Sequence, residues 1–233
     1  MLNRIEVSIK PELQDPLGNN ILRQINEYLG IQCNSVRVVD VYTILANLTN
    51  DELVKVAKEL FTDSVIQTYT INSHITFSDD YQFLIEVGFR PGVTDNVGKS
   101  AKEGIQDTIS RQLSNDEAVF KSTVYWLAGV SRNECEKISK ELLANELIHH
   151  WVVLSKDELL CKKEINLLPL PIVRTKTDTI VETISLDLSD EELVRLSEER
   201  LLALDLNEMK AIKAYFENPD TIRHRQSKNL PPY

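Results

Sequence analysis

Long apolar runs are missing from this chain. None approaches the ~20 residues that a helix needs to cross a bilayer, and the opening MLNRIEVSIK has no apolar region of the signal-peptide kind. A membrane partner is therefore not expected. Cysteine is scarce too. Cys33, Cys135 and Cys161 are odd in number, far apart and form no CxxC pair, which points to a reducing, cytoplasmic setting. Basic residues are outnumbered, 26 against 36 acidic, and the net charge of −10 repels a polyanion, which argues against nucleic acid as a partner. The rest is ordinary: 42% hydrophobic and 27% charged over 233 residues, enough for one sizeable core or two small ones sharing an interface.

The chain states one sentence twice. IEVSIKPELQDPLG, residues 5–18, returns as IEVGFRPGVTDNVG, residues 85–98, with six of fourteen positions identical: Ile5/Ile85, Glu6/Glu86, Val7/Val87, Pro11/Pro91, Asp15/Asp95 and Gly18/Gly98. In the first copy, Ile5, Val7 and Ile9 alternate as in a half-buried strand. Pro11 closes it. Leu17, Ile21, Leu22, Ile25 and Leu29 then recur at helical spacing, with Gly30 as the stop. The β-branched run at 35–48 has no Gly or Pro and reads as one long strand or as a hairpin with a cryptic turn. Thr49-Asn-Asp-Glu52 is a capping box that starts a helix, and VIQTYTI at 65–71 closes the unit. The second copy follows suit, with a second box at Ser131–Glu134, a last strand in IHHWVVL, and an insertion expected near 111–117.

The fold class expected is α+β: two tandem modules of the ferredoxin-like kind, residues 1–78 and 79–155, forming a pseudo-dimer because each alone is small. An extended connector at 156–188, with a possible edge strand at TIVETISL, and a helical tail at 189–233 follow. The tail opens on a third box, Ser189–Glu192, and ends in a frayed RHRQSKNLPPY. Such a tail suggests a piece of something longer.

No catalytic assembly emerges. Gly98-Lys99-Ser100 follows a strand and opens a helix, as a phosphate loop would, but Gly92 is one residue too far away and Asp95 sets a negative charge in the nest. The twin loop lacks Lys-Ser altogether, so the repeat explains the loop better. Asp15 and Asp95 read as N-caps. Cys135 answers Leu53 and reads as a buried, inert thiol. His149 and His150 point to opposite faces of a strand and cannot chelate one ion. His74 and His224 look isolated. Glu6 and Glu86 read as solvated or interface-facing acids. No metal site and no cofactor site are expected.

The stretches IEVSIKP, DPLG, VRVVDVYTI and ELFTD resemble the small S subunit, PurS, of phosphoribosylformylglycinamidine synthase. EVGFRPGVTDNVG, ISKELLANELI and LSDEELVRLSEERLLALDLNEMKAI are similar to the N-terminal region of the long single-chain form. The resemblance implies an enzyme that amidates formylglycinamide ribonucleotide with ATP, Mg and glutamine-derived ammonia. It implies a noncatalytic role for this chain: joining the synthetase core to the glutaminase domain and supporting ammonia transfer. The family's Ser-Glu-His-Cys signature is expected after LNEMKAIKAYF, and the 233 residues hold none, so the chain alone is expected to be inactive. Candidate interface residues are Arg90, Pro91, Thr94 and Asn96 in the second loop and Leu196, Ile212 and Phe216 in the tail. The alternative is a tandem ACT-like regulatory protein that senses a small molecule. A freestanding P-loop enzyme is a third reading.

Overall fold

The computed structural model describes residues 1–78, 80–162, 164–173, 182–228 and 230. Alternation makes β1 (Leu2–Ile9), whose Ile5 and Val7 are fully buried. Pro16 sits in the first turn of α1 (Pro16–Tyr28), behind the N-cap Asp15. The β-branched run is one unbroken strand, β2 (Ser35–Leu45), with no cryptic turn. The Thr49–Glu52 box starts α2 (Asn50–Val56), which runs on through a π-helical turn at Ala57–Phe61 before β3 (Gln67–Ile71). The same order returns as β4 (Tyr81–Phe89), α3 (Asn96–Ile109), β5 (Ala118–Ala128), α4 (Arg132–Ile138) with a π turn at Ser139–Leu143, and β6 (His149–Ser155).

All six strands join one antiparallel sheet in the order β3-β1-β2-β5-β4-β6. The long strands β2 and β5 pair along their whole length, with Asp40 opposite Thr123 at the middle. Each half supplies three strands, one fewer than the four of a ferredoxin-like βαββαβ unit. The missing neighbour of β2 comes from the other half. Asp15 accepts the Val38 amide and Asp95 the Lys121 amide, both at 2.7 Å, so these positions correspond. The spacing between copies therefore lengthens in the 110–117 loop and shortens by one residue where Gly129–Val130 answers Ala46–Leu48.

One face of the sheet is covered by helices. Its first cluster joins Ile5, Val7, Ile44, Leu53 and Val56 to Ala101 and Ile105 of α3. Its second joins Ile25 of α1 and Val36 to Ile85, Leu127, Cys135 and Ile138. Each cluster thus borrows a helix from the other half. The opposite face is covered by irregular chain. Ile75 and Phe77 of the segment 72–78, Leu159 of α5 (Lys156–Cys161) and Leu167 lie over Val39, Val41, Leu84, Val124 and Trp126.

The connector expected at 156–188 is therefore not extended throughout. It begins with α5, capped by a Ser155–Glu158 box, and continues as a covering strap through residues 164–173. Of the edge strand expected at 179–186, residues 182–186 are not strand and 179–181 lie outside the described residues. The chain divides into two compact units, residues 1–174 and 175–233. In the second, α6 (Asp190–Glu199) and α7 (Leu206–Glu217) pack together through the buried Leu193 and Met209. Buried Ser197 staples their turn, donating to the Leu204 carbonyl at 2.8 Å and accepting its amide at 3.0 Å. Of the stretch expected to fray, residues 223–227 belong to α8 (Pro219–Ser227), and 229 and 231–233 lie outside the described residues.

Candidate functional site

Alternation sends Arg4 and Glu6 of β1 and Glu86 of β4 to the strapped face, where they are 1%, 2% and 1% exposed. Arg4 Nε donates to Glu6 Oε1 at 2.7 Å, and its two Nη groups grip both Glu86 oxygens at 3.0 Å. β2 and β5 lie between β1 and β4, so this fork spans two strands and ties the halves together. Ser122 donates to Glu86 at 2.5 Å. The segment 72–78 supplies the other partners: the Ile75 amide at 2.7 Å and His74 Nδ1 at 2.8 Å, both on Glu6. Asn72 starts that segment in a left-handed turn (φ 52°), its side chain accepting the Arg4 amide at 2.8 Å.

Burial alone would raise the Glu6 pKa. The His74 hydrogen bond, Arg4 and the Ile75 amide more than reverse that, so it lies below the ordinary value. Burial likewise opposes the charge on Arg4, but Glu86 and Glu6 outweigh it and hold its pKa up. Glu6 and Glu86 are thus neither solvated nor interface-facing, and His74 is not isolated. The cavity beside Arg4, Glu86 and Ser122 measures about 20 Å³, room for one water and no substrate. The cluster fixes architecture rather than chemistry.

The paired loops are also occupied with structure. Asp15 and Asp95 cap α1 and α3, accepting from Gly18 N at 2.9 Å and Gly98 N at 2.7 Å. A Cβ on Gly18 would lie 2.3 Å from the Val36 carbonyl, and one on Gly98 equally close to that of Val119. Close approach of helix to strand explains why both copies keep this glycine. Arg90 Nε donates to the Glu146 and His149 carbonyls at 2.9 and 2.8 Å, as Lys10 holds Ser64 and Val65. Arg90 thus has a structural duty. Pro91, Thr94 and Asn96 stay exposed.

The amide at the start of α3 is taken by Asp95, and among the described residues no three of His, Cys, Asp and Glu are placed to hold a metal ion. His149 accepts the Asn145 amide at 3.1 Å and is desolvated, which lowers its pKa. Cys135 is fully buried, as is its counterpart Leu53, and burial pushes its thiol up to about 12.

In the second unit the structure brings together the three tail residues singled out by sequence. Leu196, Ile212 and Phe216 line a groove of about 630 Å³ with Ile184, Leu202 and Met209. Ion pairs frame it: Arg200 with Glu182 at 2.8 Å, and Lys213 with Asp187 at 3.2 Å. Leu201, between α6 and α7, turns outward at 89% exposure and φ 53°.

The first half is an antiparallel α+β unit, β-α-β-α-β, that shares its sheet with a second unit of the same order. Residues 3–74 match the PurS family, phosphoribosylformylglycinamidine (FGAM) synthase, and form a PurS-like region spanning β1 to β3. No curated protein matches the chain. No helix among the described residues is long and apolar enough to cross a membrane.

Proposed function

We propose that this chain is a noncatalytic docking region of an FGAM synthase in the cytoplasm: two PurS-like units fused as a pseudo-dimer, followed by a helical segment that binds the catalytic machinery. The partners are a synthetase core, which would carry ATP and Mg, and a glutaminase domain that releases ammonia. The PurS match supports the family role. The palindromic strand order and the exchanged helices support the fused pair. The observation that carries docking is the groove where Leu196, Ile212 and Phe216 converge. Burying several large side chains at ~1.5–3 kcal/mol each outweighs a few rim hydrogen bonds at the 90–98 loop.

Co-expression with a synthetase core that lacks this region tests the reading. The wild-type chain restores purine-independent growth, and Leu196→Asp or Ile212→Asp, in chains that still fold, abolishes it. If those substitutions and Thr94→Glu all leave growth intact, the docking surface lies elsewhere. The purified chain alone hydrolyses no glutamine and consumes no ATP; activity in either assay refutes the noncatalytic reading.

A further inference from the structure

The two halves differ at one matched aromatic position. In the first, Phe61 ends the π-helical turn and lies flat on Tyr42, ring centroids 3.8 Å apart and planes 9° apart. In the second, the π turn ends on Leu143. Tyr125, the counterpart of Tyr42, stacks on no ring among the described residues. Where the first half has its stack, the second has an open cleft of about 270 Å³, walled by Tyr125, Leu143, Phe89, Val97 and His149.

The polar edge of the cleft decides what can enter. Lys121 is already committed, to Asp40 Oδ1 at 2.8 Å, the Ser122 carbonyl at 2.6 Å and Thr123 Oγ1 at 3.1 Å. It offers an anion no free charge. His149 uses Nδ1 to accept the Asn145 amide, so its neutral ring carries the proton on Nε2 and is a donor. A cleft slightly under the usual ~300 Å³ lower bound for ligand pockets suits one or two fused rings.

We propose that this cleft binds a neutral planar aromatic or heteroaromatic ring, lying on Tyr125 as Phe61 lies on Tyr42. The first half is the template: it shows what this fold places over that tyrosine. The site is independent of the docking surface in the second unit.

Calorimetric titration of the full chain with indole and adenine, against cyclohexanol as the aliphatic comparator, tests it. Saturable binding of at least one aromatic at one site is expected, roughly twofold to tenfold tighter than cyclohexanol, the span that stacking contributes. Leu143→Phe fills the seat and abolishes it; Tyr125→Leu removes the preference for the aromatic. Phe61→Leu opens a twin cleft and doubles the stoichiometry; should that variant unfold, the other two decide. No saturable aromatic binding, equal binding of cyclohexanol, or unchanged binding in Leu143→Phe overturns the proposal.

Discussion

The two faces of the sheet are built by different rules. The helix-covered face is apolar and follows the periodicities of its elements, so Ile5, Val7, Ile105 and Ile138 are buried by spacing alone. The strapped face sets Arg4, Glu6 and Glu86 beside the apolar Val39, Val41, Leu84, Val124 and Trp126, and the three charged groups are as buried as the helix-covered core. Polar alternation along a strand thus says only that a side chain leaves the first core. Whether it meets water depends on what covers the other face, and here loops do. A buried ionic group tolerates no loss of a partner, whereas an apolar seat tolerates small changes in volume. Each substitution below sets one face against the other.

The largest effect is expected at Arg4. Arg4→Met removes the guanidinium that hydrogen-bonds both Glu6 and Glu86, leaving two carboxylates buried. A loss of about 3–5 kcal/mol is expected in urea denaturation. Ile5→Val, the next residue on the opposite face, should cost about 0.5–1.5 kcal/mol. Comparable losses at the two sites would erase the distinction between the faces.

On the helix face, volume is the sensitive quantity. Gly98→Ala places a methyl 2.3 Å from the Val119 carbonyl, a backbone atom that cannot swing aside. A destabilisation of about 1–3 kcal/mol is expected, and the same for Gly18→Ala against Val36. A neutral result at both would mean that α1 and α3 lift freely from β2 and β5.

What the sequence made legible follows the same division. The six identities of the repeat locate β1 and β4, the caps Asp15 and Asp95, and the glycines beneath α1 and α3, because each answers a local demand of backbone or cap. The pairing of Glu6 and Glu86 through Arg4 was hidden. It joins residues of different strands across two others, and Arg4 itself is answered by Leu84, so no repeat flagged it. His74 looked isolated because its partner is distant in sequence. The Ser155–Glu158 box is a local signal that marks α5, whereas Pro169 and Pro171 beyond it favour extended chain and hide the helix that precedes them. In the tail, the apolar character of Leu196, Ile212 and Phe216 was legible from helical spacing, whereas their convergence on one groove depends on how α6 and α7 pack.

Acid should act through the strapped face. The Glu6 pKa is lowered in the folded chain from its ordinary 4.5. Between the two values the unfolded chain binds more protons, so stability falls as pH falls. The Glu6 contribution is complete above about pH 4.5 and disappears as pH drops through the folded value. Glu6→Gln should be less stable at neutral pH and show a shallower acid decline in denaturation midpoints. An unchanged slope would mean that other carboxyls carry the acid sensitivity.

The smallest effect concerns reactivity rather than stability. Cys33 and Cys135 belong to the helix-covered core, whereas Cys161 is exposed on α5. Burial raises the thiol pKa of both core cysteines, that of Cys135 to about 12, so neither presents a thiolate at neutral pH. Rapid native labelling by a disulfide reagent should therefore be confined to Cys161, with the other two reacting only on unfolding. Cys161→Ser should abolish the fast phase while changing stability by no more than about 0.5 kcal/mol. Leu53 fills the seat in the first half that Cys135 fills in the second, so the pair also measures how alike the two seats are. Cys135→Leu enlarges a side chain at a position whose counterpart already holds that residue, and a cost below about 1.5 kcal/mol is expected if the seats match. A larger loss, or fast labelling of Cys135 in the native chain, would show that the second half of the helix face is packed differently from the first.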